Sequence, residues 1–123
     1  GKATQFVMIL DALQLRLLEK IRSDLAGYSV VRSTSPLDNR AIWLEIFAGG
    51  IHKGNSCQTL LKKLNINCKE VAGLGNDYND IDFLDICAEA YLVANAPVNL
   101  QRHYKLVKSD KEEGFTEFIS KVL

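Results

Sequence analysis

Apolar positions along the chain change their period several times, and each change predicts an element. Residues 5–10, QFVMIL, are a short apolar run of strand character. From about Asp11 to Ala26 the spacing lengthens. Leu13, Leu17, Ile21 and Leu25 recur at four-residue steps, which predicts an amphipathic helix with that stripe facing inward. Asp11 stands where an N-cap carboxylate would accept first-turn amides, and Gly27 where a left-handed residue would close the helix. Two strand-like runs follow, YSVVRS at 28–33 and IWLEIF at 42–47. The TSPLDNR segment between them carries Pro36, Asp38 and Asn39, a turn composition. Ile42, Leu44 and Ile46 share one face of the second run, and Trp43, Glu45 and Phe47 the other. An antiparallel hairpin packed on the first helix is expected.

After Gly49-Gly50 the pattern alternates between strand and helix. Cys57, Leu60, Leu61 and Leu64 hold positions i, i+3, i+4 and i+7 of a helix beginning near Lys53. EVAGLG at 70–75 reads as a buried parallel strand. A helix is predicted from about Asn79 to Ala88, with Ile81, Leu84, Cys87 and Ala88 inward. AYLVA at 90–94 is a second buried strand, and KLVK at 105–108 a third. Pro97 suits the first position of a short helix between them. Ser109 and Glu112 have capping-box spacing ahead of a last helix carrying Phe115, Phe118, Ile119 and Val122 inward. The expected class is α/β, with an α+β piece over residues 1–48 and a partial Rossmann-like parallel core over 49–123. The two glycines are the expected hinge.

Composition narrows the function classes. Of 123 residues, 47% are hydrophobic and 24% charged, an ordinary balance for a folded domain. Fifteen Lys and Arg balance fifteen Asp and Glu, so no basic footprint for nucleic acid is present. No apolar run approaches the length that crosses a bilayer, so no membrane partner is expected. Cys57, Cys68 and Cys87 are odd in number and lack C-x-x-C spacing, which points to neither a disulfide framework nor a zinc site. A reducing, cytoplasmic setting is expected. The chain begins with Gly rather than Met and shows no secretory signal, so it is expected to be a piece of a longer protein.

The chemistry concentrates in GNDYND at 75–80. Asn76, Asp77, Tyr78, Asn79 and Asp80 stand where a predicted parallel strand ends, the side on which such sheets bind ligands. Bunched carboxylates and amides suit a hard cation such as magnesium, and a helix start nearby favours an anion. The same residues also make an ordinary capped turn. The spacing fits neither a calcium loop nor a dinucleotide fingerprint, because Ile81 falls on a ligand position and the third Gly is missing.

Three segments in order complete the picture: LEIFAGGIHKGNSCQTLL at 44–61, VAGLGNDYNDIDFLDICAEAYLVANAP at 71–97, and KSDKEEGFTEFI at 108–119. With them the chain resembles the C-terminal portion of the haloacid dehalogenase superfamily, the Cof-type phosphatases. The resemblance implies a HAD-like core over 49–123 and the end of a cap domain over 1–48. It implies that Lys53 contacts a phosphoryl group, that Asn76, Asp77 and Asp80 serve Mg2+, and that Asn79 and Asn95 lie near the substrate. The substrate would be a small phosphorylated metabolite, a sugar phosphate by analogy. Where the family places Asp after the loop glycine this chain has Asn76, with an acid one place later at Asp77.

The family's nucleophile is an aspartate in a D-x-D-G-T type segment, and it forms an aspartyl-phosphate. No D-x-D-G stands in these residues; Asp11 is followed two places on by Leu13. The chain is therefore expected to be inactive alone, and a non-catalytic phospho-ligand or protein-interaction module is the rival expectation. The strand at 70–75 would normally lie beside the nucleophile's strand. Its edge is expected to be open and to seek a second copy or a complementing N-terminal segment.

Overall fold

The computed structural model describes residues 2–35 and 41–123. Pro36, Asp38 and Asn39 of the expected turn lie outside the described residues. The chain divides into two compact units, Gly1–His52 and Lys53–Leu123. Gly49 and Gly50 lie inside the first of these.

In the first unit, strand β1 (Phe6–Asp11) is followed by a 3-10 turn at Ala12–Gln14 and helix α1 (Arg16–Asp24). Strands β2 (Tyr28–Thr34) and β3 (Ala41–Ala48) complete an antiparallel sheet of order β1-β3-β2. Leu10, Ile42 and Leu44 from the sheet and Leu18 from α1 form the buried core, with Ile21 and Val30 packed against it. The hairpin thus packs on the helix as the pattern predicts.

The helix itself is shorter than expected and turned. Strand pairing runs through Asp11, opposite Ala41, so helical spacing cannot begin there. Leu13 sits on the 3-10 turn, 92% exposed, and Leu17 is also exposed; Leu18 takes the buried place. Four-residue steps overshoot a 3.6-residue turn by about 40° each, so a stripe at that spacing winds around the helix. Asp11 caps the turn rather than a helix: its Oδ1 accepts the Leu13 N–H at 2.9 Å. Gly27 does not take a left-handed conformation. A Cβ on Gly27 would meet open space; the close approach constrains Gly49, whose Cβ would lie 2.6 Å from the Gly27 carbonyl oxygen. Gly50 carries the positive φ, 80°.

The second unit opens with helix α2 (Lys53–Leu64) and a 3-10 turn at Cys68–Glu70. Asn67 caps that turn in a capping box, accepting the Lys69 N–H at 2.9 Å. Strand β4 (Ala72–Gly75), helix α3 (Ile81–Leu84), strand β5 (Glu89–Val93), helix α4 (Val98–Gln101), strand β6 (Lys105–Val107) and helix α5 (Gly114–Val122) follow. The three strands form a parallel sheet of order β4-β5-β6. Its core is Leu84, Tyr91, Leu92, Val93, Ala96, Leu100, Val107 and Phe118. Phe118 of α5 meets the Tyr91 ring edge-on, centroids 5.4 Å apart.

Several expectations are corrected here. The helix predicted to Ala88 stops at Leu84, because the Ala88 N–H is bonded to the Val71 carbonyl at 2.9 Å and draws the chain into β5. Pro97 is the N-cap of α4, not its first helical residue. Ser109 makes no cap bond; its hydroxyl donates to Glu112 at 2.7 Å, and left-handed Glu113 precedes α5. Phe115 is 65% exposed. On α2, Cys57 and Leu61 are half-buried, while Leu60 and Leu64 are 53% and 57% exposed. No described residue covers that outer part of the predicted stripe.

Candidate functional site

The end of β4 is shaped by what its glycines allow. A Cβ on Gly75 would lie 2.8 Å from the Asp80 Cβ and 2.9 Å from a Leu84 methyl, so the loop can fold back over the strand only with glycine there. Asp77 then caps the 3-10 turn Tyr78–Asp80, its Oδ1 accepting the Tyr78 N–H at 2.8 Å. The capping box closes in reverse through Asp80, whose Oδ2 accepts the Asn76 N–H at 2.8 Å and the Asp77 N–H at 3.2 Å. Tyr78 ties the turn to α4, its hydroxyl donating to Asn99 at 2.7 Å.

Lys53 completes the arrangement. Its ammonium donates to Asp80 Oδ1, a contact spanning 27 residues of sequence. The Asp80 side chain is only 8% exposed and that of Lys53 is 52% exposed. The carboxylate is thus held by two backbone amides and one ammonium, charge-assisted bonds that fix its orientation. Gly54 sets the distance: a Cβ there would lie 2.5 Å from the Asp82 carbonyl oxygen. Helix α2 therefore meets the backbone of α3 closely, and its first residue arrives beside the loop.

Of the residues singled out by sequence, Lys53, Asn76, Asp77 and Asp80 come together. Asn79 lies half-buried in the same turn. Asn95 follows β5 on the same carboxyl rim of the sheet, where its amide donates to Asp110 Oδ1 at 2.8 Å and its carbonyl accepts the Asp110 N–H at 3.3 Å. Asp11 belongs to the other unit and is engaged in its own turn. Tyr78 was read only as part of the polar loop, and Gly54 and Gly75 were given no role; the G-x-G at 73–75 was the signal for Gly75.

The donors Asp77, Asp80 and Asn76 are hard oxygens of the kind magnesium takes. Among the described residues no three His, Cys, Asp or Glu gather as a metal site. The set matches Mg2+ in donor type.

The match to a family model decides what this rim belongs to. Residues 2–119 fit the model of haloacid dehalogenase-like hydrolases. This chain is a haloacid dehalogenase-like hydrolase by family. A candidate phosphatase of Streptococcus pyogenes serotype M6 is 27% identical over 95 residues, 76% of this chain and 33% of that protein. The solved protein SMU.1108c of Streptococcus mutans superposes with TM-score 0.74 at 26% identity, over 94% of this chain and 44% of the other. The solved HAD subclass IIB sugar phosphatase BT4131 superposes with TM-score 0.78 at 13% identity, over 98% of this chain and 44% of the other. The HAD-like chain thus spans a third of the curated relative and under half of each solved neighbour. The α/β fold, with its parallel sheet, is the fold these neighbours share.

Proposed function

We propose that this chain supplies the lysine and the acidic loop of a magnesium-dependent phosphatase site acting on small phosphorylated metabolites. The observation carrying this reading is the Lys53 ammonium on the buried Asp80 carboxylate, at the carboxyl rim of a parallel sheet. Lys53 would neutralise a phosphoryl oxygen and steady the transferring group. Asp80 would hold the ammonium in place, and Asn76, Asp77 and Asp80 would hold Mg2+. The ion, when bound, adds charge neutralisation at the phosphoryl oxygens. Asn79 and Asn95 would border the substrate. BT4131 is described as a sugar phosphatase, which supports a sugar phosphate as substrate.

The nucleophilic aspartate would come from outside these residues. Its carboxylate oxygen would attack phosphorus, the ester oxygen would leave, and water would then cleave the acyl phosphate. We place the complementing strand against β4. That strand lies at the end of the order β4-β5-β6, and its outer side pairs with no described strand. A cytoplasmic setting suits the three free thiols. No helix among the described residues is long and apolar enough to cross a membrane.

The test uses the chain alone and the chain mixed with an N-terminal half-core from a relative. Sugar-phosphate hydrolysis in the mixture with Mg2+, absent for either half alone and lost in Lys53→Ala, is the expected result. Saturable inorganic phosphate binding without any turnover in the mixture would instead establish the non-catalytic module. Asn76, standing where the family places an aspartate, favours that second reading.

A further inference from the structure

Parallel pairing puts the segments that follow β4, β5 and β6 on one rim of the second unit. The strands have only 4, 5 and 3 residues, so few ladder bonds hold the segments beyond them. Side chains supply further ties. The Tyr78 hydroxyl, in the acidic loop after β4, donates to Asn99 Oδ1 of α4 at 2.7 Å. Two residues on, the Gln101 amide donates to the Ala94 carbonyl at 2.9 Å and the Ala96 carbonyl at 2.8 Å, in the turn after β5. Asn95 of that turn holds Asp110, after β6, through both ends of its amide. Buried Leu100 anchors α4 itself in the core. With Asn95, this short helix braces three segments that are far apart in sequence.

Tyr78 is where the brace reaches the candidate site. Its backbone N–H donates to Asp77 Oδ1 at 2.8 Å, while its hydroxyl is held by Asn99. Its ring packs, partly buried, against the core of the sheet. Asp77 and Asp80 are both buried, at 8% and 6% exposed, so each carboxylate takes its direction from the loop amides bonded to it. Any residue at position 78 would supply the amide. The tyrosine hydroxyl is what reaches α4.

We propose that Tyr78 and Asn99 are positioning residues, whose hydrogen bond holds the Asn76–Asp80 loop in the shape that takes a hard divalent cation. The role rests on the phosphatase reading given above. Neither side chain has to touch the ion. Asn99 fixes the Tyr78 ring, the Tyr78 amide aims Asp77, and Asp77 caps the turn that ends in Asp80. Partners standing behind a ligating carboxylate typically change metal affinity by roughly 10- to 100-fold when they are removed. Oxygen donors carried on a loop depend on such support more than donors carried on a regular element, because the loop has no ladder of its own to fix them.

The experiment pairs amide exchange with a Mg2+ titration, both followed by NMR, on wild type, Tyr78→Phe, Asn99→Leu, the double variant and Asn99→Asp. Tyr78→Phe keeps the ring and removes one hydroxyl. Asn99 is exposed, so a leucine there leaves the core alone, and Asn99→Asp keeps an acceptor oxygen. In both single deletions the Tyr78 and Asp80 amides should exchange at least ~3-fold faster than in wild type. The Mg2+ dissociation constant should rise about 10-fold in the same two. The double variant should be no worse than either single one, because the two changes break one bond. Asn99→Asp should exchange like wild type. Unchanged protection of Leu92 shows that every variant has folded. Wild-type exchange in both deletions, additive effects in the double variant, or fast exchange in Asn99→Asp would overturn the brace. Equal Mg2+ affinity in all five chains would overturn the positioning role alone. A wild type that binds no Mg2+ would overturn the phosphatase reading, and the role with it.

Discussion

At the scale of single residues, Asp80 is the point on which the rim depends. Its carboxylate serves Lys53 and two amides together, so Asp80→Ala strands three donors. A loss of roughly 2–3 kcal/mol in urea unfolding is expected, with the Asn76 and Asp77 amides exchanging freely. Gly75→Ala should cost a comparable ~1–3 kcal/mol, since its new methyl meets Asp80 and Leu84 below contact distance. Cys87 gives a check by pH. Burial pushes its thiol up to about 11, with lesser contributions from Cys57 and Cys68. The folded chain then holds a proton that the unfolded chain has released, so stability should fall as pH rises from about 9 toward 11. Alkylation in the folded state should reach exposed Cys68 well before Cys87. A Cys87 that reacts first would contradict this.

At the scale of elements, caps separate the legible from the illegible. Asn67→Ala removes a side chain that accepts from the Lys69 amide, and about 1 kcal/mol should be lost. Ser109→Ala removes no cap bond, and thermal melts should move little, by under ~0.5 kcal/mol. The Ser109–Glu112 spacing read as a capping box, yet the chain uses the pair for a side-chain contact and starts α5 from a left-handed residue. Strands and their faces were readable because period-two alternation in β3 and apolar runs in β4 and β5 report burial directly. Helix bounds were not. Where the Ala88 amide joins Val71, or where β1 pairs through Asp11, long-range hydrogen bonding overrides local spacing. The loop 75–80 was legible as oxygen-rich chemistry, and Lys53 as its companion through family resemblance. The contact joining them depends on Gly54, whose role is visible only once α2 meets α3.

At the scale of the whole molecule, two cores of unequal size share one chain. Among the described residues, the core of the first unit holds four buried apolar side chains and that of the second eight. A small core protects its backbone less, so amides of Leu44 and Ile42 should exchange faster than those of Leu92 and Val93. Equal protection would mean that the units open together. The site in the larger unit carries a built-in counter-ion, because Lys53 already occupies Asp80. On the proposed reading, a metal at Asp80 would loosen that ammonium's hold and leave it more available to an anion. Entry of either guest would then prepare the way for the other. By thermodynamic reciprocity, magnesium should tighten phosphate binding by the same factor that phosphate tightens magnesium, and the two calorimetric titrations should agree. In Lys53→Met the metal should bind more tightly and that mutual assistance should vanish.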